Sequence, residues 1–139
     1  MSVPYQPNQG LAVVVVPDGS AAQQVVAPAQ LSLTATIVGN DATGLSGALD
    51  LGALRALRII MPAAWTAAAL TFQTSADGTV YSNLYDETGN EVSYTPVAAA
   101  AMRLPISDWL GVRFLKIRSG PNAAPVAQAY NRVLTVVAG

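Results

Sequence analysis

Between Leu31 and Val38 apolar and hydroxyl side chains alternate one by one, with Leu31, Leu33, Ala35 and Ile37 set against Ser32, Thr34 and Thr36. Successive side chains of a strand point to opposite faces, so this alternation marks a strand with one buried face. The texture recurs along the chain. Valine is clustered, threonine recurs inside apolar segments, and Gly, Pro, Asn and Asp fall in short groups between them, whereas capped helical patterns are hard to find.

On this pattern strands are expected at Leu11–Val16, Leu31–Val38, about Ala53–Met61, Leu70–Thr74, Val80–Tyr85, Glu91–Thr95, Val112–Ser119 and Tyr130–Ala138. Pro17-Asp18-Gly19 closes the first, and Pro62 ends the third because it has no N–H to donate. Ser75-Ala-Asp-Gly78 and Asp86-Glu-Thr-Gly-Asn90 are hairpin signals, since Asp-Gly readily supplies positive φ. Val97–Met102 has helix propensity but is too short to stand alone, and is expected as one turn or a close-packed connection. In Val112–Ser119, Leu115 and Ile117 fall on one face and Phe114, Lys116 and Arg118 on the other. The prediction is an all-β, antiparallel β-sandwich of about eight strands, a single domain over 11–139. Residues 1–10, with two prolines and no periodicity, read as an extended N-terminal arm or a disordered terminus.

What such a sandwich can do is bounded by its charges. Seven basic and eight acidic residues make up 11% of the 139 positions, against roughly 25% in an ordinary soluble domain. There is no Cys and no His, so a disulfide framework, a thiolate nucleophile and the ligands zinc prefers are absent from the chain. A formal charge of −1 with scattered basic residues argues against nucleic-acid binding. The most apolar charge-free stretch, Ile59–Ala76, is broken by Pro62, Thr66, Thr71, Gln73 and Thr74, and Leu11–Val16 has no basic leader, so neither a membrane span nor a secretory signal is expected.

Candidate chemistry is sparse. Asp86, Glu87 and Glu91 could in principle cooperate as glycosidase carboxylates, but they flank a turn where acids serve to solvate a loop. Asp41 and Asp50 lack the spaced ligand loop of an EF-hand, and the glycines Gly39, Gly44 and Gly47 open no phosphate-binding motif. No histidine is available to activate a serine, and Lys116, the only lysine, lies in an expected strand. No enzyme activity and no cofactor are expected. The aromatic residues are the better clue, because Tyr and Trp favour interfaces. Trp65, Tyr81, Tyr85 and Trp109, with Val3 and Tyr5 on the arm, are the interface candidates, and the aromatics could also serve as sugar-stacking platforms. The alternative for each Trp is a plug at the end of the sandwich.

The stretches Asp50–Trp65, Ala69–Gly78, Leu84–Gly89 and Phe114–Gly120 together resemble small β-sandwich proteins of tailed-bacteriophage virions, in particular head decoration or cement proteins of jelly-roll type. The resemblance spans roughly residues 50–139 and its Ala-Asp-Gly hairpin also occurs in other β-sandwiches. It implies a jelly-roll on the outer surface of an icosahedral capsid, made in the host cytoplasm, binding the major capsid protein and itself as a dimer or trimer, without cofactor or active site. A tail- or fibre-associated sandwich and a carbohydrate-binding module are the alternatives. The composition fits permanent assembly, because apolar surface with few charges is better buried against neighbours than left in water, and many modest contacts on a shell add by avidity.

Overall fold

The alternation that opens the chain's described core becomes strand β3. A computed structural model describes residues 12–14, 23–25 and 30–139. Two short strands, β1 (Ala12–Val14) and β2 (Gln23–Val25), pair antiparallel in a sheet of their own. Eight more follow: β3 (Leu31–Ile37), β4 (Leu49–Asp50), β5 (Ala56–Ile60), β6 (Leu70–Ser75), β7 (Tyr81–Asn83), β8 (Ala101–Arg103), β9 (Phe114–Ser119) and β10 (Arg132–Ala138). They form two four-stranded sheets, ordered β3-β10-β5-β8 and β4-β9-β6-β7, with every pairing antiparallel.

Every connection between successive strands from β3 to β10 crosses from one sheet to the other, except the β6–β7 hairpin, which stays within its sheet. That wrap is the topology of a jelly roll, in which the first and last strands lie side by side. The long β3–β10 ladder, in register from Leu31↔Ala138 to Ile37↔Arg132, closes it. The expected sandwich is therefore present.

The alternating residues meet between the sheets. Ala35, Ile37, Ile59, Leu134 and Val136 come from the first sheet, and Leu70, Phe72, Leu115 and Ile117 from the second, all buried in one cluster. At about 25 cal/mol per Å² of apolar area removed from water, this shared core is the main force joining the sheets. Two glycines shape the ends. Gly78, at φ +79°, turns the β6–β7 hairpin as the Asp-Gly signal implies. Gly120 leaves β9 at φ +88°, and a Cβ there would lie 2.6 Å from the Val126 backbone nitrogen.

Several expectations need correction. Glu91–Thr95 forms no continuous strand, only isolated bridges Tyr85↔Glu91 and Leu70↔Tyr94, because its backbone bonds go first to Leu84 and then to Leu70 and so never follow one neighbour as a ladder. The alanine run supplies a turn at 98–99 and then strand β8, because the edge of β5 offers Ile60 a partner in Ala101 while so short a run gains little from helix. The strand expected from Ala53 starts at Ala56, with 52–53 spent on a turn. The short strands β2, β4 and β8 were not anticipated. The arm expected over residues 1–10 lies outside the described residues.

Candidate interaction surface

Strand register decides which side chains face outward. In the second sheet Phe72↔Ile117 is a core pair, so the neighbouring pairs Thr71↔Arg118, Gln73↔Lys116 and Ser75↔Phe114 face away from it. Yet none of these residues is exposed, and Arg118 keeps only 3% of its surface. Its guanidinium is engaged on three sides: Nε donates to Thr71 Oγ1 at 3.0 Å, Nη1 to Asn83 Oδ1 at 2.8 Å and Nη2 to Glu91 Oε2 at 3.1 Å. Thr71 Oγ1 donates in turn to the Gly120 carbonyl at 2.6 Å, and Glu91 accepts from the Asn122 backbone N–H. One buried charge thus has a carboxylate partner and hydrogen bonds that tie two loops over the sheet, the condition under which a buried ion pair is tolerated.

The first sheet is different. Leu134 and Val136 point into the core, so Ser32, Thr34 and Thr36 of β3, Val133 and Thr135 of β10, Arg58 and Ile60 of β5, and Ala101 and Arg103 of β8 face out. Most of these are exposed, Val133 at 51%, but on the central strand Thr135 is half-buried and Val137, which faces out opposite Ser32 and Arg58, keeps only 3% of its surface. Only Arg58 and Arg103 carry charge, and they lie directly opposite one another. The face is a platform of threonine, valine, isoleucine and alanine with one basic border. Its legible signal was the hydroxyl half of the β3 alternation, which marks an outward face without saying how much of it stays exposed.

The aromatic candidates separate. Trp109, raised on a single 3₁₀ turn (Ile106–Trp109), is fully buried and meets Phe72 edge-on at 4.8 Å between ring centroids. Its Nε1 donates to the Tyr94 hydroxyl at 3.2 Å, which donates to Asp108 Oδ2 at 2.8 Å. Burial and that donation push the Tyr94 hydroxyl well above its ordinary pKa. Trp109 is therefore a core plug, and the expectation of an interface anchor is corrected, because a ring with no exposed surface cannot meet a partner. Trp65 is half-buried against the core with Nε1 donating to the Ala68 carbonyl at 3.1 Å. Tyr81 is half-buried beneath Lys116, whose Nζ lies 4.3 Å from the ring centroid. Tyr85 is exposed at the start of the 86–90 turn. Val3 and Tyr5 lie outside the described residues.

The acidic groups act on their own loops. Asp86 Oδ1 accepts from the Thr88 hydroxyl at 2.7 Å and from the backbone N–H groups of Thr88 and Asn90, which hold its carboxyl below the usual range. Asp77 accepts from the Val80 and Thr79 N–H groups and the Ser75 hydroxyl, and its pKa falls to about 2. Asp41 is lowered by Thr43, and Asp50 by its ion pair with Arg113 at 2.9 Å. No group of three or more acidic side chains that could hold a metal ion occurs among the described residues. No helix there is long and apolar enough to cross a membrane.

A further polar knot was not legible in the sequence. Gln128, fully buried in the β9–β10 connection, accepts from the Thr66 N–H at 2.8 Å and donates to the Thr66 carbonyl at 2.9 Å and to Ser119 Oγ at 2.7 Å. Arg132 completes it through Gln128 Oε1 at 3.2 Å. A glutamine within a loop gives no pattern from which such burial follows.

No protein-family model and no curated relative matches the chain. Among solved structures it is similar to the crystal structure of the SPBc2 prophage-derived protein YomS, with a TM-score of 0.42 and 12% identity over 82% of this chain and 97% of that one. A likeness of that degree says nothing about function, and the jelly-roll assignment rests on the strand order alone.

Proposed function

We propose that the chain is a structural protein of a tailed-phage virion that sits on the outer capsid surface, binding the major capsid protein and itself. The observation that carries the reading is the outward face of the β3-β10-β5-β8 sheet, largely exposed on β3, β5, β8 and at Val133 and nearly uncharged, on a molecule whose other sheet has its outward Arg118 covered by its own loops. A flat face of β-branched and small side chains suits a partner surface that excludes water, and repeated copies need only modest affinity each. The resemblance of residues 50–65, 69–78, 84–89 and 114–120 to head decoration proteins supplies the capsid as that surface.

Decoration requires neither cofactor nor catalytic residue, and of the carboxylates that might have served catalysis Asp86 caps its turn and Glu91 pairs with Arg118. The carbohydrate alternative loses its indole platforms, because Trp109 is buried and Trp65 half-buried, and is left with exposed tyrosines such as Tyr85.

The test is binding to purified capsids that lack the protein, followed by cryo-electron microscopy of the decorated particles. Saturable binding with density on the head supports the proposal. Density confined to the tail moves the protein to the tail-associated alternative, and no binding to either part overturns a virion role.

A further inference from the structure

A sandwich has four edge strands, and this one protects three of them. β8 is three residues long, carries Arg103 and runs directly into Leu104-Pro105. β4 has two residues and ends on Asp50, paired with Arg113. β7 has three residues, and the bridges Tyr85↔Glu91 and Leu70↔Tyr94 cover the sheet beyond it. Short length, charge and covering segments are the usual means by which an edge is kept from pairing with another chain.

Among the described residues β3 has none of them. It is seven residues long, contains no charge and no proline, and its ladder to β10 runs without a register shift. Among the described residues no backbone hydrogen bond reaches the outward edge of 31–36, and only Ile37, at its end, bridges to Ser46. Coverage is also incomplete on the core side of this edge, where Leu33 is half-buried and Leu31 is 42% exposed.

We infer that β3 is a self-pairing edge: two copies of the chain join β3 to β3 antiparallel about a two-fold axis, making one continuous eight-stranded sheet. The inference rests on the self-association in the proposed function and names the surface responsible. A two-fold pairing of this strand places hydroxyl residues beside hydroxyl residues on the outer face and leucine, alanine and isoleucine beside each other on the inner one. No like charges meet, and Thr–Thr and Thr–Ser neighbours across strands are favourable. With Thr34 opposite Thr34, exposed Leu31 and half-buried Leu33 of each copy then lie against Ile37 and Ala35 of the other, and the two uncharged outer faces become one broader platform.

The test uses the full chain and two variants, Ser32→Lys/Thr34→Lys/Thr36→Lys and Ser32→Glu/Thr34→Glu/Thr36→Glu, whose positions face outward and exposed. Sedimentation from low to high micromolar concentration is expected to give a dimer for the unmodified chain, roughly tenfold weaker dimerisation for each variant because like charges face one another, and recovery as a heterodimer when the two variants are mixed. A strictly monomeric unmodified chain overturns the inference, as does a dimer whose strength the substitutions leave unchanged. Hydrogen exchange on the unmodified chain gives a second readout that needs no variant: the amides of 31–36 that point away from β10 should gain protection only at dimeric concentrations, while those bonded to β10 are protected throughout. Protection of those outward amides already complete in the monomer means that the chain's own residues cover the edge, and also overturns it. Capsid binding is measured separately, so loss of the dimer with capsid binding intact rejects the edge alone, while a dimer that ignores capsids rejects the virion role alone.

Discussion

The two sheets of this molecule are built from the same alternation and finished in opposite ways. On the β4-β9-β6-β7 sheet the outward Arg118 and Thr71 are drawn into a network with Asn83 and Glu91 and covered by the chain's own loops, whereas on β3-β10-β5-β8 most outward residues, Thr135 and Val137 excepted, stand exposed with hydroxyl and aliphatic side chains. The difference separates two uses of a sheet face. A face with a buried charge and satisfied partners serves the fold, and a bare face with little charge is available to another molecule.

If that division is correct, stability should respond far more strongly to changes on the second sheet. The largest effect is expected from Arg118→Ala, which leaves Glu91 and Asn83 without their partner and should cost about 3 kcal/mol in a urea denaturation series. Thr71→Val keeps the shape but strips the acceptor of Arg118 Nε and the donor to the Gly120 carbonyl, both buried, and should cost about 2 kcal/mol by the same measurement. If either variant melts like the unmodified chain, the network does not hold that face closed.

Acid should loosen the closed side in a defined window. A carboxyl whose folded pKa is depressed contributes stability that is complete above its unfolded pKa and is lost as pH falls through the folded one. For Asp77 that window runs from 3.8 down to about 2, and Asp41, Asp50 and Asp86 are shifted in the same direction. The melting temperature should therefore fall between pH 4 and pH 2, and Asp77→Asn should flatten the fall; an unchanged profile in that variant would remove the hairpin cap as its cause. The smallest effect belongs to the open face. Val133→Thr should alter unfolding free energy by less than about 0.5 kcal/mol while weakening capsid binding, and the comparison fails if stability suffers as much as it does at Arg118.

Legibility in the sequence followed periodicity. The β3 and β9 alternations announced strands and their inward faces, and Asp77-Gly78 announced its hairpin, because each signal is local and set by backbone geometry. Strands of two or three residues such as β4, β7 and β8 carry too few positions for a period, so β4 and β8 went unforeseen and β7 was expected longer, as Val80–Tyr85. They exist because a neighbouring strand offers free N–H and C=O groups. The aromatic candidates divided for a related reason. Trp109 and Tyr85 are both large rings beside turns, and only the depth to which the 3₁₀ turn carries Trp109 over Phe72 makes one a core residue and the other a surface one.

By itself the sequence determined an all-β sandwich without histidine or thiol chemistry and with too few charges for an ordinary shell. Those properties follow from residue types and from the two-residue period of a strand, which no folding event can change. Tertiary structure alone decided that Arg118 would be buried while Val133 stays exposed, although both occupy outward positions on central strands. The reason is long-range: Arg118 meets Glu91, Asn83 and Thr71 only after the chain has wrapped, and nothing among the described residues makes the corresponding approach to Val133.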